Sequence, residues 1–588
     1  MSTRRYLIAA LAILILGGTL RMVWLRADPP IGAPGIVWDD EGAWTHNARN
    51  KALWGQWTTD KWNPLYIAPV FTALEYGAFR TFGVGLWQAR TVPVASGLVA
   101  IILMMMGLSA VSGRRTALIG GALLATNYAW VMWNRAALME STMIGFIVVA
   151  WAAYAMGSRR AAWGFVAGVA AALAWFTKAS AAFFAAAIVA DAVATIALAR
   201  IPELRARLGM SKPARTDERT AWLTLAGLAV AGGAIGAMFV WPHWSDYWFY
   251  NVQMSVERKP SYALRDFQDR ASWLPVASDF LSRMRLELVG AAIAMAGLLA
   301  RWREAKPAER LLVLWMFLGL LELTVHDSGD ERYYMILTPA LIALAATLAG
   351  SGASWLPARL VSAPVTSRVL ALPFILVIGY LVAGTMVRVA FPDEIAGGVF
   401  RSVVRISAGL SAVAAVMLFV WWRGAVTWMA GMRISASAAA VLVAASVLWN
   451  LGLYGRWAAD RTDLNYQASV DLGERLPAGT LVHGKLANGL ALDNHIRPIF
   501  VGNGFGNYAD RFDRDDARYI LTYDLPEIGC ESQQGSGLIP EILARYPNRQ
   551  TVATFAVDEK CGVHRAVLID KHPGAASEPV SGIPRARD

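Results

Sequence analysis

Trp38-Asp39-Asp40-Glu41-Gly42-Ala43-Trp44 sets three carboxylates side by side between two indoles. Like charges at such spacing raise one another's affinity for protons. A carboxylate tuned in this way can act as a general base near neutral pH. Adjacent carboxylates can also hold a divalent cation through oxygen ligands. A third reading is a solvated acidic turn that caps the helix after it. Asp40 is the first choice as base. Glu41 would orient it or share a cation with it, and Asp39 leaves the identity of the base open.

Other polar residues interrupt apolar sequence. Glu140 follows Trp133-Asn134-Arg135 and opens an apolar run. It is either a functional carboxylate at a membrane interface or a helix-dipole partner with Arg135 beside it. Lys178, in Trp175-Phe176-Thr177-Lys178, is the basic residue of a short turn. It either snorkels or meets a phosphate as a compact charge. His326-Asp327-Ser328-Gly329-Asp330-Glu331-Arg332-Tyr333-Tyr334 is dense in charge between two apolar runs. Arg332 could clamp a phosphate through its planar fork. Arg258 and Lys259 could add to that field or belong to a solvated loop. His243 and His326 are candidates for metal or proton work, with a structural role as the alternative. Trp44, Trp54, Trp57, Trp62 and Tyr66 suit an interfacial belt and sugar stacking equally.

Composition says what must position these groups. The 588 residues are 56% hydrophobic and only 16% charged, with a formal net charge of +11. A soluble chain carries about 25% charged residues, so a water-coated globule and a disordered chain are both excluded. Apolar runs reach the roughly 20 residues that a helix needs to cross a bilayer. After a first span from Tyr6 to about Leu25, candidates lie near 88–111, 115–133, 137–156, 161–177, 179–199, 220–241, 286–301, 311–326, 333–350, 369–391, 402–422 and 434–455, about thirteen in all. The sequence shows no long Lys/Arg run and no nucleic-acid motif, so nucleic acid is not an expected partner.

Charge gives the orientation. With the N-terminus cytoplasmic, Arg114-Arg115, Arg159-Arg160, the basic stretch 200–219, Arg301, Arg303, Lys306, Arg310, Arg359, Arg368 and Arg423 all face the cytoplasm, as the positive-inside rule requires. The outer side then holds a first loop over 26–86, a second segment over 241–285, and everything after about 455. The chain divides into a membrane region 1–455, an extracytoplasmic α/β domain 456–570 and a disordered tail 571–588. In the outer domain a helix is expected over 466–476, with β-prone runs at 480–483, 498–501, 518–523, 551–556 and 563–569. Cys530 and Cys561 are the two cysteines. Both fall in this domain, where an oxidising compartment would favour a disulfide; two buried thiols are the alternative.

These pieces stand in an order that resembles the GT-C superfamily of membrane glycosyltransferases, in particular the branch of protein O-mannosyltransferases and lipid A aminoarabinose transferases. The resemblance is carried by Asp40-Glu41 with Trp44, Trp62-Asn63-Pro64-Leu65-Tyr66, Gly83, Gln88-Ala89-Arg90, Asn134-Arg135 with Glu140, Thr177-Lys178, Arg332-Tyr333-Tyr334 and Thr338-Pro339. It is detailed over residues 1–350 and architectural beyond. The lipid A branch usually has Glu-Lys-Pro-Pro where this chain has Lys61-Trp62-Asn63-Pro64-Leu65, so the same acceptor does not follow from the resemblance. The resemblance implies a GT-C-like membrane fold and a polyprenyl-phosphate sugar donor in the cell membrane. A glycan, lipid or protein hydroxyl would be the acceptor, with inversion at the anomeric carbon. It implies Asp40 and Glu41 as catalytic, Lys178, Arg332 and Tyr333 at the donor phosphate, and Arg135 and Glu140 as further site candidates; the residues themselves add Asp39, His326 and Arg258. A divalent cation on Asp40 and Glu41 stays an open alternative. The rival class is a transporter or flippase for a lipid-linked sugar. Transporters gather their polar groups at the midplane in repeated halves, whereas here the unusual charges gather at one face.

Overall fold

The computed structural model describes residues 2–30, 39–257, 283–325, 331–351, 400–431, 435–500, 516–523, 544–559 and 562–574, with isolated positions between 372 and 383. Its first half is a bundle built from α1 (Thr3–Met22), α2 (Asp39–Trp54), α3 (Pro69–Phe82), α4 (Leu86–Val111), α5 (Arg114–Thr126), α6 (Tyr128–Trp133), α7 (Met139–Gly157), α8 (Trp163–Thr177), α9 (Ala182–Arg200) and α10 (Arg215–Ile235). The bundle continues through α11 (Arg285–Ala300), α12 (Pro307–Val325), α13 (Thr338–Ser351), α14 (Phe400–Val420) and α15 (Ala436–Asp460). Among the described residues, seven helices are long and apolar enough to cross a membrane on their own. Most other expected spans coincide with shorter or broken helices. The run 115–133, for instance, breaks at Asn127, whose side chain accepts from Trp130 N and so starts α6 afresh. The expected span 369–391 lies mostly outside the described residues. The chain is a multi-pass helical membrane protein.

The core is apolar and dense. Trp130, Trp133, Trp151 and Trp315 are fully buried. Two of these indoles reach a carbonyl, Trp151 on Ala308 at 3.1 Å and Trp315 on Ile336 at 2.8 Å, which avoids a desolvation cost of about 1–3 kcal/mol; the indole N–H groups of Trp130 and Trp133 have no partner among the described residues. By contrast, Leu7, Ile8, Leu11 and Ile15 of α1 and Val441 and Leu448 of α15 are exposed. Apolar faces of this kind are matched to lipid chains rather than to water.

The C-terminal region is a small mixed domain. It contains α16 (Leu464–Arg475), β1 (Leu481–His483), α17 (Lys485–Gly489), β2 (Arg497–Ile499), β3 (Tyr519–Tyr523), β4 (Gln550–Glu559) and β5 (Gly562–Asp570). The sheet order is β2-β1-β3-β5-β4. β1 pairs in parallel with β2 and β3, and β5 pairs antiparallel with β3 and β4. Leu472, Val482, Leu490, Leu521, Val557 and Leu568 form its core. Cys530 and Cys561, and the tail from 575, lie outside the described residues.

This domain grips the same end of the bundle at which α2 begins. Arg49 of α2, buried completely, donates to the carbonyls of Ala491, Asn494 and Ile496 at 2.9–3.0 Å. Gly42 lies so close to α17 that a Cβ there would come within 1.8 Å of the Asn488 carbonyl oxygen. Phe500 stacks on Trp62 at 4.8 Å. Asp28, just after α1, accepts from the backbone N–H of Leu464 at 2.6 Å and Asn465 at 3.2 Å. Thr462 Oγ1 lies 2.8 Å from Asp28 and 2.7 Å from Asp558. One hydroxyl proton cannot serve two carboxylates.

Burial, with Asp558 adding to it, pushes the Asp28 carboxyl up to about 6. The folded state therefore binds the proton more tightly than the unfolded chain. Stability from this group is full below the ordinary carboxylate range and is lost as pH rises through about 6. The span from 3.8 to about 6 corresponds to about 3 kcal/mol at most. Thermal unfolding at pH 5 and pH 7.5 should show about half of that loss in the wild type and a flatter response in Asp28→Asn. Equal slopes in the two proteins would remove this role.

Candidate active site

The acidic triplet forms the first turn of α2, where carboxylates meet the positive end of the helix dipole. Its members part company from there. Glu41 is 2% exposed and turns inward. Its carboxylate accepts from Arg90 Nε at 2.8 Å, Arg90 Nη2 at 2.7 Å and the Ala137 backbone N–H at 2.7 Å. Arg90 Nη1 donates in turn to the carbonyls of Leu25 and Ala27, each at 2.7 Å. One bidentate pair thus ties together α2, α4, the segment after α1 and the turn before α7.

Asp40 faces the other way. Its Oδ2 accepts from Arg332 Nη1 at 2.8 Å, with both side chains under one-fifth exposed. Arg332 stands on the short helix Glu331–Tyr334, and its Nε lies 3.9 Å from Glu140. Glu140, in the first turn of α7, takes Lys178 Nζ at 2.6 Å. Lys178 reaches it because the chain leaves α8 there: its backbone is extended, at φ −160°, before a short turn over Ala179–Ala181. The Tyr333 ring lies under both cations, 4.8 Å from Lys178 and 5.2 Å from Arg332, a geometry in which the ring face adds to the attraction. A pocket opens on this cluster, lined by Glu140, Lys178, Arg332, Tyr333, Glu322 and the apolar Met143, Leu323 and Ile336.

The residues singled out in the sequence therefore separate into groups. Asp40, Glu140, Lys178, Arg332 and Tyr333 stand together. Glu41 stands beside them as a holding group, with both carboxylate oxygens committed to Arg90 and Ala137. A divalent cation shared by Asp40 and Glu41 does not fit those bonds, so no step is routed through one. Among the described residues, no group of three or more His, Cys, Asp or Glu could hold a metal ion. Arg135 stands apart from this cluster. Its guanidinium donates to the carbonyls of Leu20, Arg21, Val23 and Trp24 and lies over Trp457 at 4.6 Å. It closes the C-terminal end of α1, whose last carbonyls have no helical partner, and takes no part in the pocket. His243 is bonded to the Phe239 carbonyl at 2.9 Å. The Asp39 side chain, Arg258, Lys259 and His326 lie outside the described residues.

The sequence reading missed five site-end residues. Arg90 entered only as part of a motif, although an arginine in an apolar helix demands a partner. Glu322 was passed over inside a span. His46 and Asp60 form a buried pair at 2.9 Å, which braces the loop carrying Trp62 through Asp60 Oδ1 and Trp62 N–H at 3.2 Å. Glu75 of α3 is fully buried, and neither of its carboxyl oxygens has a partner among the described residues. Burial, reinforced by Glu41, pushes its carboxyl well above the ordinary range.

No protein-family model matches this sequence, and no curated protein matches it. Solved structures do. ArnT from Cupriavidus metallidurans, bound to undecaprenyl phosphate, is 17% identical; the match covers 98% of this chain and 100% of that one, with a TM-score of 0.47. The Archaeoglobus fulgidus oligosaccharyltransferase in its apo form is 12% identical, covering 99% of this chain and 76% of that one, with a TM-score of 0.45. The S. cerevisiae protein O-mannosyltransferase Pmt1-Pmt2 complex bound to the sugar donor is 17% identical over 42% of this chain and 35% of that one, with a TM-score of 0.30. The chain is similar to these membrane glycosyltransferases in outline. What its site can do follows from its own residues.

Proposed function

We propose that this protein is an integral membrane glycosyltransferase. It moves a sugar from a polyprenyl-phosphate-linked donor to an acceptor hydroxyl, with inversion at the anomeric carbon. The observation that carries this reading is the joint placement of Asp40, Arg332, Glu140 and Lys178 at one end of a lipid-facing helical bundle. A base stands beside two cations at the level where a lipid's phosphate would lie. The donor phosphate draws Arg332 and Lys178 onto itself, and Asp40 is released to face the acceptor. Asp40 accepts the acceptor's proton as the new bond to the anomeric carbon forms. The bond from that carbon to the phosphate oxygen breaks, and its electron pair stays on the phosphate. Lys178 and Arg332 hold the charge that develops there. Single displacement gives inversion.

The basic residues support an extracytoplasmic position for this end. Arg114, Arg115, Arg159, Arg160, Arg200, Arg205, Arg301 and Lys306 lie at the opposite ends of the same helices. There Arg159 and Lys306 each donate to a carbonyl at the end of α4, Ser109 and Val111 respectively, at 2.9 Å. By the positive-inside rule that face is cytoplasmic, and the N-terminus belongs with it.

Purified protein incubated with a panel of radiolabelled polyprenyl-phosphate sugars should transfer or hydrolyse at least one. Lys178→Gln and Arg332→Gln should each raise the donor KM by about tenfold or more, the loss of one charge-assisted contact of about 1.5–3 kcal/mol. No label movement across the panel would overturn the reading.

A further inference from the structure

A short segment beyond α10 carries indoles that the site does not use. α10 belongs to an apolar span, Arg215–Val240. It buries Thr220, Ala221, Thr224 and Gly227 and no residue after them, so its second half has lipid as its surroundings. The chain keeps turning through Gly236–Val240 and enters a short helix, Trp244–Trp248, followed by a helical stretch, Phe249–Glu257. Met238 is 73% exposed and Trp241 80% exposed, and Trp244 and Trp248 are exposed as well. The spacing of three and four residues puts the indoles on one side of the segment, and the rings of Trp244 and Trp248 lie 5.5 Å apart. Polar residues begin at this level. His243, Ser245 and Asp246 are all exposed, and hydrocarbon would not accept them. Other side chains of the segment pack on protein. Tyr250 and Met254 are buried. Tyr250 Oη donates to the Lys61 carbonyl at 2.5 Å and accepts from the Asn63 N–H at 2.8 Å. Asn251 Nδ2 donates to the Tyr66 carbonyl at 2.8 Å.

Contiguous exposed apolar surface of this kind is unfavourable in water and marks a contact surface. An indole has an apolar body and one N–H, and it is best matched where hydrocarbon gives way to head groups. The surface is continuous with the lipid-facing side of α10, which makes the bilayer its occupant rather than a second copy or a soluble partner. We propose that Trp241, Trp244 and Trp248 form a foot seated in the head-group layer, and that Tyr250 and Asn251 hold the loop Lys61–Tyr66 at that level. The loop is bonded in turn to the site's first helix, because Trp62 Nε1 donates to the Ala43 carbonyl at 2.9 Å. The foot therefore fixes the height of the turn that carries Asp40 relative to the lipid. Trp62 and Tyr66, which in the sequence suit an interfacial belt, are buried, and the belt position falls to the foot. This role needs only that the chain crosses a membrane, not the reaction proposed above.

The test uses the full chain in phosphatidylcholine nanodiscs. A photoreactive phosphatidylcholine carries its diazirine either near the ester or at the end of the acyl chain, and the label is located by peptide mapping. Residues 241–248 should take about fivefold or more label from the ester-proximal probe than strand β4 takes, as an interfacial segment must. β4 is the control because its Val552 is likewise an exposed apolar side chain. The second half of α10 should favour the chain-end probe, and 241–248 should not. Tyr250→Phe should leave the lipid label in place and speed hydrogen exchange at the Asn63 amide by about three- to tenfold, the loss of one intramolecular hydrogen bond. Label at 241–248 no higher than on β4 overturns the foot, whether the indoles then prove to face water or a second copy. Unchanged exchange at Asn63 overturns the tie to the loop. Either failure leaves the glycosyltransferase reading intact.

Discussion

Asp40→Asn should lower kcat for sugar transfer by about 10²–10⁴-fold, the usual contribution of a positioned general base, while donor affinity changes only a few-fold. The substitution keeps the side chain's shape and removes its ability to accept a proton. It also removes the negative charge that Arg332 meets at 2.8 Å in the resting site. Arg332 then has Glu140, 3.9 Å from its Nε, as its remaining acidic neighbour among the described residues. A freer Arg332 should bind phosphate at least as well as before. The expected signature is therefore a fall in kcat with KM level or slightly lower, which points to an interaction made only in the transition state. Steady-state kinetics at saturating acceptor measure it. Transfer at the wild-type rate would exclude Asp40 as the base.

The second large effect concerns folding. Arg90→Met should destabilise the protein by about 3–5 kcal/mol, because it leaves the Glu41 carboxylate buried with its main partner gone. The loss is wider than one pair. Arg90 also holds the carbonyls of Leu25 and Ala27, so the segment leading from α1 toward α2 loosens as well. Glu41→Gln should cost less than Arg90→Met, since an amide oxygen can still accept from Ala137 N–H. The double variant should be more stable than the sum of the two single losses, the mark of a shared interaction. Denaturant unfolding in detergent reads all four proteins. A loss under about 1 kcal/mol for Arg90→Met would mean that this pair does not set the position of α2, in view of what breaking a buried pair costs.

Sequence and structure meet most closely where physics acts locally. Apolar length gave the spans, because each long helix in a bilayer must satisfy its own backbone. Alternation and turn residues placed the five strands of the C-terminal sheet to within a few residues. The acidic triplet, Glu140, Lys178 and Arg332 could each be picked out because a charge beside an apolar run is costly and invites a reason. What could not be read was which charge answers which. Glu41 and Arg90 are 49 positions apart, and Asp40 and Arg332 are 292 apart. Nothing in their local sequence distinguishes the carboxylate that binds inward from the one that meets Arg332. The same holds for Arg49 and Ala491, 442 positions apart, whose bond makes the C-terminal domain a support of the site's first helix. Arg135 stands apart for the opposite reason. It sits in the turn that contains Glu140's neighbours, but the end of α1 has carbonyls to satisfy, and the guanidinium goes there.

The proposed function stands or falls on Asp40, Lys178 and Arg332 serving one phosphate-bearing donor. The most direct measurement is an experimental structure of the protein with undecaprenyl phosphate. It should show the phosphate in contact with Lys178 and Arg332 above Tyr333, with the Asp40–Arg332 bond opened. A phosphate bound elsewhere, with Lys178 still on Glu140 and Arg332 still on Asp40, would contradict it.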